Sequence, residues 1–263
     1  MRSVVGTRAS MHWQSRRPWH TGAVQSVILL PGLACDATLW REQRSALVPH
    51  HRVHISDLHF RFDTLPEMAA ELLQENPGDH VLVGSSMGGM LALEVVRQAP
   101  QRVKALALLG SSARPDTTEQ IRLRSEAIVM FEQGRMDQVL LANIPWAFHN
   151  GHAHQAELTG TYLAMVRRAG AAALIRQNRA VMARADQRPY LAAVACPTLV
   201  LCGESDLLTP PECSREIAQA VPGARLELLA ACGHLLTLEQ PQRVNQLLLE
   251  WLAGIKTPTR TGR

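Results

Sequence analysis

Short apolar runs that alternate with longer amphipathic stretches constrain the fold of this chain more than any other feature. Apolar runs without polar alternation are typical of strands buried on both faces of a parallel sheet. Strand–helix–strand alternation in turn indicates an α/β layer fold. We predict strands at residues 27–30, 52–56, 80–83, 103–109, 198–202 and 225–229. The sequence therefore predicts a mostly parallel sheet flanked by helices.

Amphipathic patterns between these strands predict the helices. They cover residues 36–47, 65–74, 87–98, 211–220 and 241–252. Asp36 is predicted to cap the first helix, because its side-chain oxygens can accept from free N–H groups of the first turn. Residues 117–188 carry helical patterns without a strand pattern. We therefore predict a core of residues 23–115 and 190–253, with a helical cap at 116–189 inserted after the strand that ends near Leu109.

The charge distribution argues against a nucleic-acid partner. The chain has 263 residues and a formal net charge of +4. Seven arginines and lysines, and no acid, lie in residues 1–22 and 254–263, so the rest of the chain is weakly acidic. We expect both segments to be flexible tails, whereas a nucleic-acid site needs a basic folded face. No apolar run approaches the roughly 20 residues of a membrane helix, so we expect a soluble protein without a membrane partner.

Cysteine, histidine and glycine patterns give no metal or cofactor site. None of the five cysteines has CxxC spacing, which favours reduced thiols in a cytoplasmic protein. His149, His152 and His154 lie close together, but no Cys or acid completes a ligand set nearby in the sequence. Phosphate-binding and dinucleotide-binding glycine motifs are absent from the sequence. We predict no metal and no cofactor, and the oligomeric state stays open.

The motif Gly84-Ser85-Ser86-Met87-Gly88 predicts a nucleophilic serine. It fits G-x-S-x-G with Ser86 at the centre, and it joins a predicted buried strand directly to a predicted helix. A serine on such a sharp turn is exposed on a strained backbone, at the positive end of the helix that follows.

A serine hydroxyl is a weak nucleophile and needs a base, which an acid then orients. His234 is the best candidate base, since it lies between the last predicted strand and the last helix, at the sheet edge where catalytic groups gather. Asp206 follows the strand at 198–202 and is the candidate acid. Glu204 is its nearest rival, although it is better placed to shape the turn. We thus predict Ser86, Asp206 and His234 as catalytic residues.

The order serine, acid, histidine resembles that of the α/β-hydrolase superfamily, and in particular its small capped esterases, lactonases and C–C hydrolases. The resemblance covers about residues 24–253. It rests on Leu30-Pro31-Gly32-Leu33 with Trp40, the Ser86 turn, Gly203-Glu204-Ser205-Asp206 with Pro210, and Gly233-His234 with Glu239 and Pro241. The resemblance implies an α/β-hydrolase fold, and an oxyanion hole formed by the backbone N–H groups of Leu33 and Met87.

The chain departs from its relatives at two places. Pro31 stands where most of them have histidine before the glycine, and residues 59–63 replace a glycine-rich loop. The donor at Leu33 is a backbone group, so we expect the oxyanion hole to survive the first change. We expect the second to alter one wall of the site.

The predicted cap supplies candidates for the substrate pocket. Trp146 and Phe148, on either side of Ala147 and near Pro145, are the predicted pocket residues, while most other apolar residues of the cap are expected to hold it together. Ten arginines and no lysine lie between Arg114 and Arg188. One of them could bind a substrate carboxylate, because the guanidinium suits that contact, and the sequence does not select which.

The sequence thus predicts a serine hydrolase that cleaves a small carboxylic ester, thioester or lactone through an acyl-enzyme, with a small-molecule acyl substrate as its partner. Two alternatives stay open. One is hydrolysis of a C–C bond in dicarbonyl products of aromatic degradation, which the same three residues would serve. The other is a ligand-binding protein that uses the fold without catalysis.

Overall fold

The computed structural model describes residues 25–255. The predicted tails therefore lie outside the described residues, apart from Gly254 and Ile255. Six strands form one sheet in the order β2-β1-β3-β4-β5-β6, and every neighbouring pair is parallel. They are β1 Ser26–Leu30, β2 Arg52–Ile55, β3 His80–Ser85, β4 Val103–Leu109, β5 Thr198–Gly203 and β6 Arg225–Leu229. The predicted parallel α/β fold is confirmed.

Nine α-helices lie within the described residues. They are α1 Arg41–Leu47, α2 Leu65–Glu75, α3 Met87–Gln98, α4 Thr118–Glu132, α5 Met136–Ala147, α6 Ala156–Met182, α7 Pro211–Ala220, α8 Leu236–Glu239 and α9 Pro241–Gly254. Asp36 caps a short 3-10 turn that leads into α1, since its carboxylate accepts from Thr38 N at 2.8 Å. The prediction of Asp36 as a cap is therefore confirmed, although the first turn is 3-10 rather than α.

The two faces of the sheet bury two separate apolar cores. Val27 and Leu29 of β1 point into one core, which α1 and α9 complete. Ile28 and Leu30 point into the other, which α2, α3 and α7 complete. All four side chains are fully buried, and each contributes about 1.5–3 kcal/mol of transfer free energy. Burial on both faces explains why the strand sequences show no polar alternation.

Helices α4, α5 and α6 follow β4 and precede β5 in the chain, and residues 116–189, which contain them, are called the cap below. Helix α4 begins with a capping box, in which the Thr117 hydroxyl accepts from Gln120 N and the Gln120 side chain accepts from Thr117 N. Helix α6 is kinked at Gly170, whose φ is +77°. Within residues 25–255, no helix is both long and apolar enough to cross a bilayer.

The strand order fixes where a site can form. The chain runs from β1 outward to β2 and then returns to β3 on the other side of β1. The connections after β1 and β3 therefore leave in opposite directions, which opens a crevice at the carboxyl ends of these two strands. The predicted oxyanion loop follows β1, and Ser86 follows β3.

Candidate active site

Ser86 occupies a strained turn between β3 and α3. Its φ is +53° and its ψ is −116°, a conformation that is rare for a residue with a side chain. Two hydrogen bonds hold its backbone, because Ser86 N donates to Leu109 O and Ser111 Oγ donates to Ser86 O, both at 2.8 Å. The neighbouring strand end thus fixes the position of the serine.

Glycines are required around this turn by close packing. A Cβ at Gly84 would collide with the backbone of Gly88, and a Cβ at Gly88 would lie 2.7 Å from Pro31 O. A Cβ at Gly89 would lie 2.5 Å from Ser111 Oγ. The start of α3 can therefore lie directly against the loop after β1, next to the serine.

The structure brings the three residues predicted as catalytic into one hydrogen-bonded chain. His234 Nε2 lies 2.9 Å from Ser86 Oγ, and His234 Nδ1 lies 2.8 Å from Asp206 Oδ2. His234 is buried in the loop between β6 and α8, and its backbone N–H donates to Ala147 O of the cap at 3.0 Å. This arrangement can transfer a proton from the serine to the imidazole.

Asp206 is 1% exposed, and its carboxylate is surrounded by donors. Oδ1 accepts from Leu208 N and Thr209 N at 2.9 Å, and Oδ2 accepts from Thr209 Oγ1 at 2.8 Å. Its rival Glu204 is exposed, so it does not take this place. The sequence analysis did not identify Thr209 as a partner of Asp206. The signal was present, because an aspartate side chain often accepts from the backbone N–H groups two and three residues later in a turn.

The opposite charges of His234 and Asp206 shift the pKa of both residues. Burial lowers the pKa of His234, but the negative charge of Asp206 and its hydrogen bond outweigh burial, so the pKa of His234 is raised overall. Burial likewise raises the pKa of Asp206, while the charge of His234 and the surrounding donors lower it overall. An ionised Asp206 that stabilises a protonated His234 follows from these shifts.

Both predicted oxyanion donors belong to segments that lie next to Ser86. Met87 follows the serine directly and begins α3. Leu33 is partly buried in the loop after β1, where a Cβ at the neighbouring Gly32 would lie 3.4 Å from Ser86 Cβ. The loop is therefore close to the serine, and Pro31 does not hold it away.

Glu239 connects the His234 loop to the cap. Its carboxylate accepts from Gly233 N at 3.0 Å, from His149 N at 2.9 Å and from His152 Nδ1 at 2.9 Å. The sequence identifies Glu239 only as part of the motif with Gly233 and His234, and it groups His149 and His152 only as histidines without a complete metal-ligand set. The two histidines lie 90 and 87 positions away from Glu239 in the chain, so no local pattern could have identified them.

The two predicted pocket residues lie in different environments. Trp146 is 54% exposed, whereas Phe148 is buried and packs edge-on against Tyr162 at 5.7 Å between ring centroids. Their role in a substrate pocket stays a prediction. Nine of the ten arginines between Arg114 and Arg188 have a carboxylate partner, and Arg135 bonds to glutamines instead.

Comparison with known proteins identifies the family. Residues 25–241 match the family model for the alpha/beta hydrolase fold. The chain is 27% identical to the "Putative carbamate hydrolase RutD" of Serratia proteamaculans, over 88% of this chain and 92% of that protein. It is 25% identical to the pimeloyl-[acyl-carrier protein] methyl ester esterase of Nitrosomonas europaea, over 89% and 96%. A malate-bound thermophilic esterase from Thermogutta terrifontis matches with a TM-score of 0.81 and 28% identity, over 90% and 92%. The chain therefore belongs to the alpha/beta hydrolase fold family.

Proposed function

We propose that this protein is a serine hydrolase that cleaves a small carboxylic ester, thioester or lactone through an acyl-enzyme. The family relation supports a hydrolase of ester-like substrates, since the similar proteins include a methyl ester esterase and a thermophilic esterase. The observation that carries the proposal is the chain from Ser86 Oγ through His234 to Asp206, with distances of 2.9 Å and 2.8 Å.

The chemistry proceeds in two halves. Ser86 Oγ attacks the carbonyl carbon while His234 Nε2 takes its proton, and the tetrahedral oxyanion accepts from Met87 N–H and Leu33 N–H. The intermediate collapses when the C–O or C–S bond breaks, and His234 gives its proton to the leaving group. Water then attacks the acyl-enzyme with His234 as base, and the acid leaves as Ser86 regains its proton. Asp206 orients His234 and stabilises its charged form throughout.

A fluorophosphonate probe tests the proposal, because it phosphonylates an activated serine far faster than an ordinary serine hydroxyl. We expect the wild type to be labelled and Ser86→Ala to remain unlabelled. Ser85→Ala is the matched control, since this buried serine is adjacent but outside the hydrogen-bonded chain, and it should be labelled like the wild type. Hydrolysis of p-nitrophenyl esters of rising chain length should show the same dependence on Ser86. A folded wild type that takes no label, or equal labelling of Ser86→Ala, would contradict the proposal.

A further inference from the structure

The loop after β1 has a backbone conformation that needs external support. Cys35 N donates to Gly32 O at 3.0 Å, which closes a turn of residues 32–35. Ala34 has a φ of +56°, where glycine is the usual residue. A residue with a side chain stays in this conformation only where the surrounding structure holds it there. Pro31 cannot help, because it has neither an N–H group nor a polar side chain.

Two buried side chains, called the Gln177–His59 brace below, provide this support. Gln177 of α6 is 0% exposed, and its Oε1 accepts from Ala34 N at 2.6 Å. Its Nε2 donates to His59 O at 2.8 Å. The His59 ring is 3% exposed, and its Nε2 lies 2.7 Å from Cys35 O. A carbonyl oxygen only accepts, so His59 Nε2 carries the proton in this bond.

The brace holds the two residues that follow Leu33. Gln177 binds the N–H group of Ala34, and His59 binds the carbonyl group of Cys35. Burial lowers the pKa of His59, which favours the neutral ring that donates to Cys35 O. A donor stabilises an oxyanion only when it is aimed at the position that the oxygen takes in the transition state. The direction of the Leu33 amide depends on the conformation of the same turn.

We propose that Gln177 and His59 are positioning residues that hold the Leu33 N–H in line with the oxyanion, an inference that rests on the proposed function. Gln177 belongs to the cap, and Arg168 of the same helix donates to Asp36 at 2.7 Å. The helix that docks on this part of the core is therefore also the helix that holds the turn of residues 32–35.

Gln177→Met tests the brace, because methionine keeps the volume and removes both hydrogen bonds. We expect kcat for a p-nitrophenyl ester to fall about 10- to 100-fold, as for a misaligned donor, with little change in KM. The inhibition constant of phenylboronic acid, which forms a tetrahedral adduct on serine, should rise by a similar factor. Gln187→Met is the matched control, since Gln187 is also buried but donates to Met90 O at 2.9 Å, away from the turn.

Two further comparisons separate positioning from a general loss of packing. Adding Ala34→Gly to Gln177→Met should recover part of kcat, because glycine adopts a positive φ without penalty. His59→Gln, which keeps an N–H donor close to the position of Nε2, should retain more activity than His59→Leu. Exchange of the Ala34 amide hydrogen should be faster in Gln177→Met than in the wild type.

The outcomes distinguish the brace from the proposed function. If the wild type hydrolyses esters and Gln177→Met keeps its kcat, the brace is wrong and the proposed function stands. If Gln187→Met loses as much activity as Gln177→Met, and Ala34→Gly recovers none, general packing explains the loss and the inference is overturned. A wild type that neither hydrolyses esters nor takes the fluorophosphonate label overturns both.

Discussion

Asp206 carries a charge in a buried position because four donors converge on its carboxylate. Two backbone N–H groups, the Thr209 hydroxyl and the His234 ring replace the water that the carboxylate loses on burial. A buried carboxyl without such donors would take up a proton instead. The ionised state in turn raises the pKa of His234 above the 6.5 of an ordinary histidine.

The pH dependence of hydrolysis should report this coupling. His234 must be neutral to act as base, so kcat/KM should fall as the pH drops below its pKa, with a midpoint above 6.5 in the wild type. Asp206→Asn removes the charge that raises this pKa and leaves burial to lower it, so the midpoint should move to lower pH. The maximal rate should also fall, by about 10³- to 10⁴-fold, because the amide favours the wrong tautomer.

Asp186→Asn is the control for this profile, since its partly exposed carboxylate pairs with Arg188 and not with His234. Its pH profile should match that of the wild type. A midpoint that does not move in Asp206→Asn would mean that another group limits the rate at low pH.

At the scale of elements, the approach of α3 to the loop after β1 sets the geometry of the site. A Cβ at Gly88 of α3 would collide with the carbonyl groups of Leu30 and Pro31, so the backbone of the helix lies directly against the backbone of the loop. The positive φ of Ser86 redirects the chain from the strand into this helix. A wider turn would move Ser86 away from the Leu33 amide.

Gly88→Ala should therefore be destabilising. The added Cβ has no room, and overpacking of this kind costs about 1–3 kcal/mol in the free energy of unfolding. Gly160→Ala is the matched comparison, because Gly160 lies exposed in α6 with no atom near the position of a Cβ. That variant should gain about 0.5–1 kcal/mol from helix propensity. Urea unfolding measures the stability of both variants. A Gly88→Ala variant that is as stable as the wild type, or as stable as Gly160→Ala, would refute the packing argument.

Across the whole molecule, the cap makes direct hydrogen bonds to the loop that carries His234. Ala147 O accepts from the backbone of His234, and Glu239 binds the N–H groups of Gly233 and His149 together. A Cβ at Gly233 would lie 2.5 Å from His149 N, so the cap touches the His234 loop directly. The Gln177–His59 brace makes a second connection, between α6 and the loop after β1.

Glu239→Gln tests the first of these connections. The carboxylate accepts from three N–H groups. A glutamine has an NH2 group in place of one carboxylate oxygen, and that NH2 group would face these donors. We expect the free energy of unfolding to fall by about 1.5–3 kcal/mol, the range for hydrogen bonds to a charged group, and kcat to fall with it. Glu250→Gln in α9, an exposed position, should change neither. Urea unfolding and steady-state kinetics provide the measurements, and a Glu239→Gln variant as stable as the wild type would show that the connection is not required.

Local sequence patterns were enough to predict the strands and helices and the positions of Ser86, Asp206 and His234 between them. Apolar runs such as residues 103–109 predicted a strand that the structure has over the same residues, Val103–Leu109. The motif around Ser86 and the loop positions of Asp206 and His234 followed from local patterns. Strand and helix periods, caps and tight turns arise from interactions between residues close in the chain, so they can be read locally.

The contacts that support those residues follow from the packing of distant elements and could not be predicted from the sequence. Gln177 and Ala34 are 143 positions apart, and Glu239 lies 90 positions from His149. Gln177 is a polar residue in a helix of the cap, and its sequence surroundings resemble those of any solvated glutamine. Its burial and its partners depend on how α6, kinked at Gly170, docks on the loop after β1. Such contacts come from the packing of distant elements, which leaves no periodic pattern in the sequence.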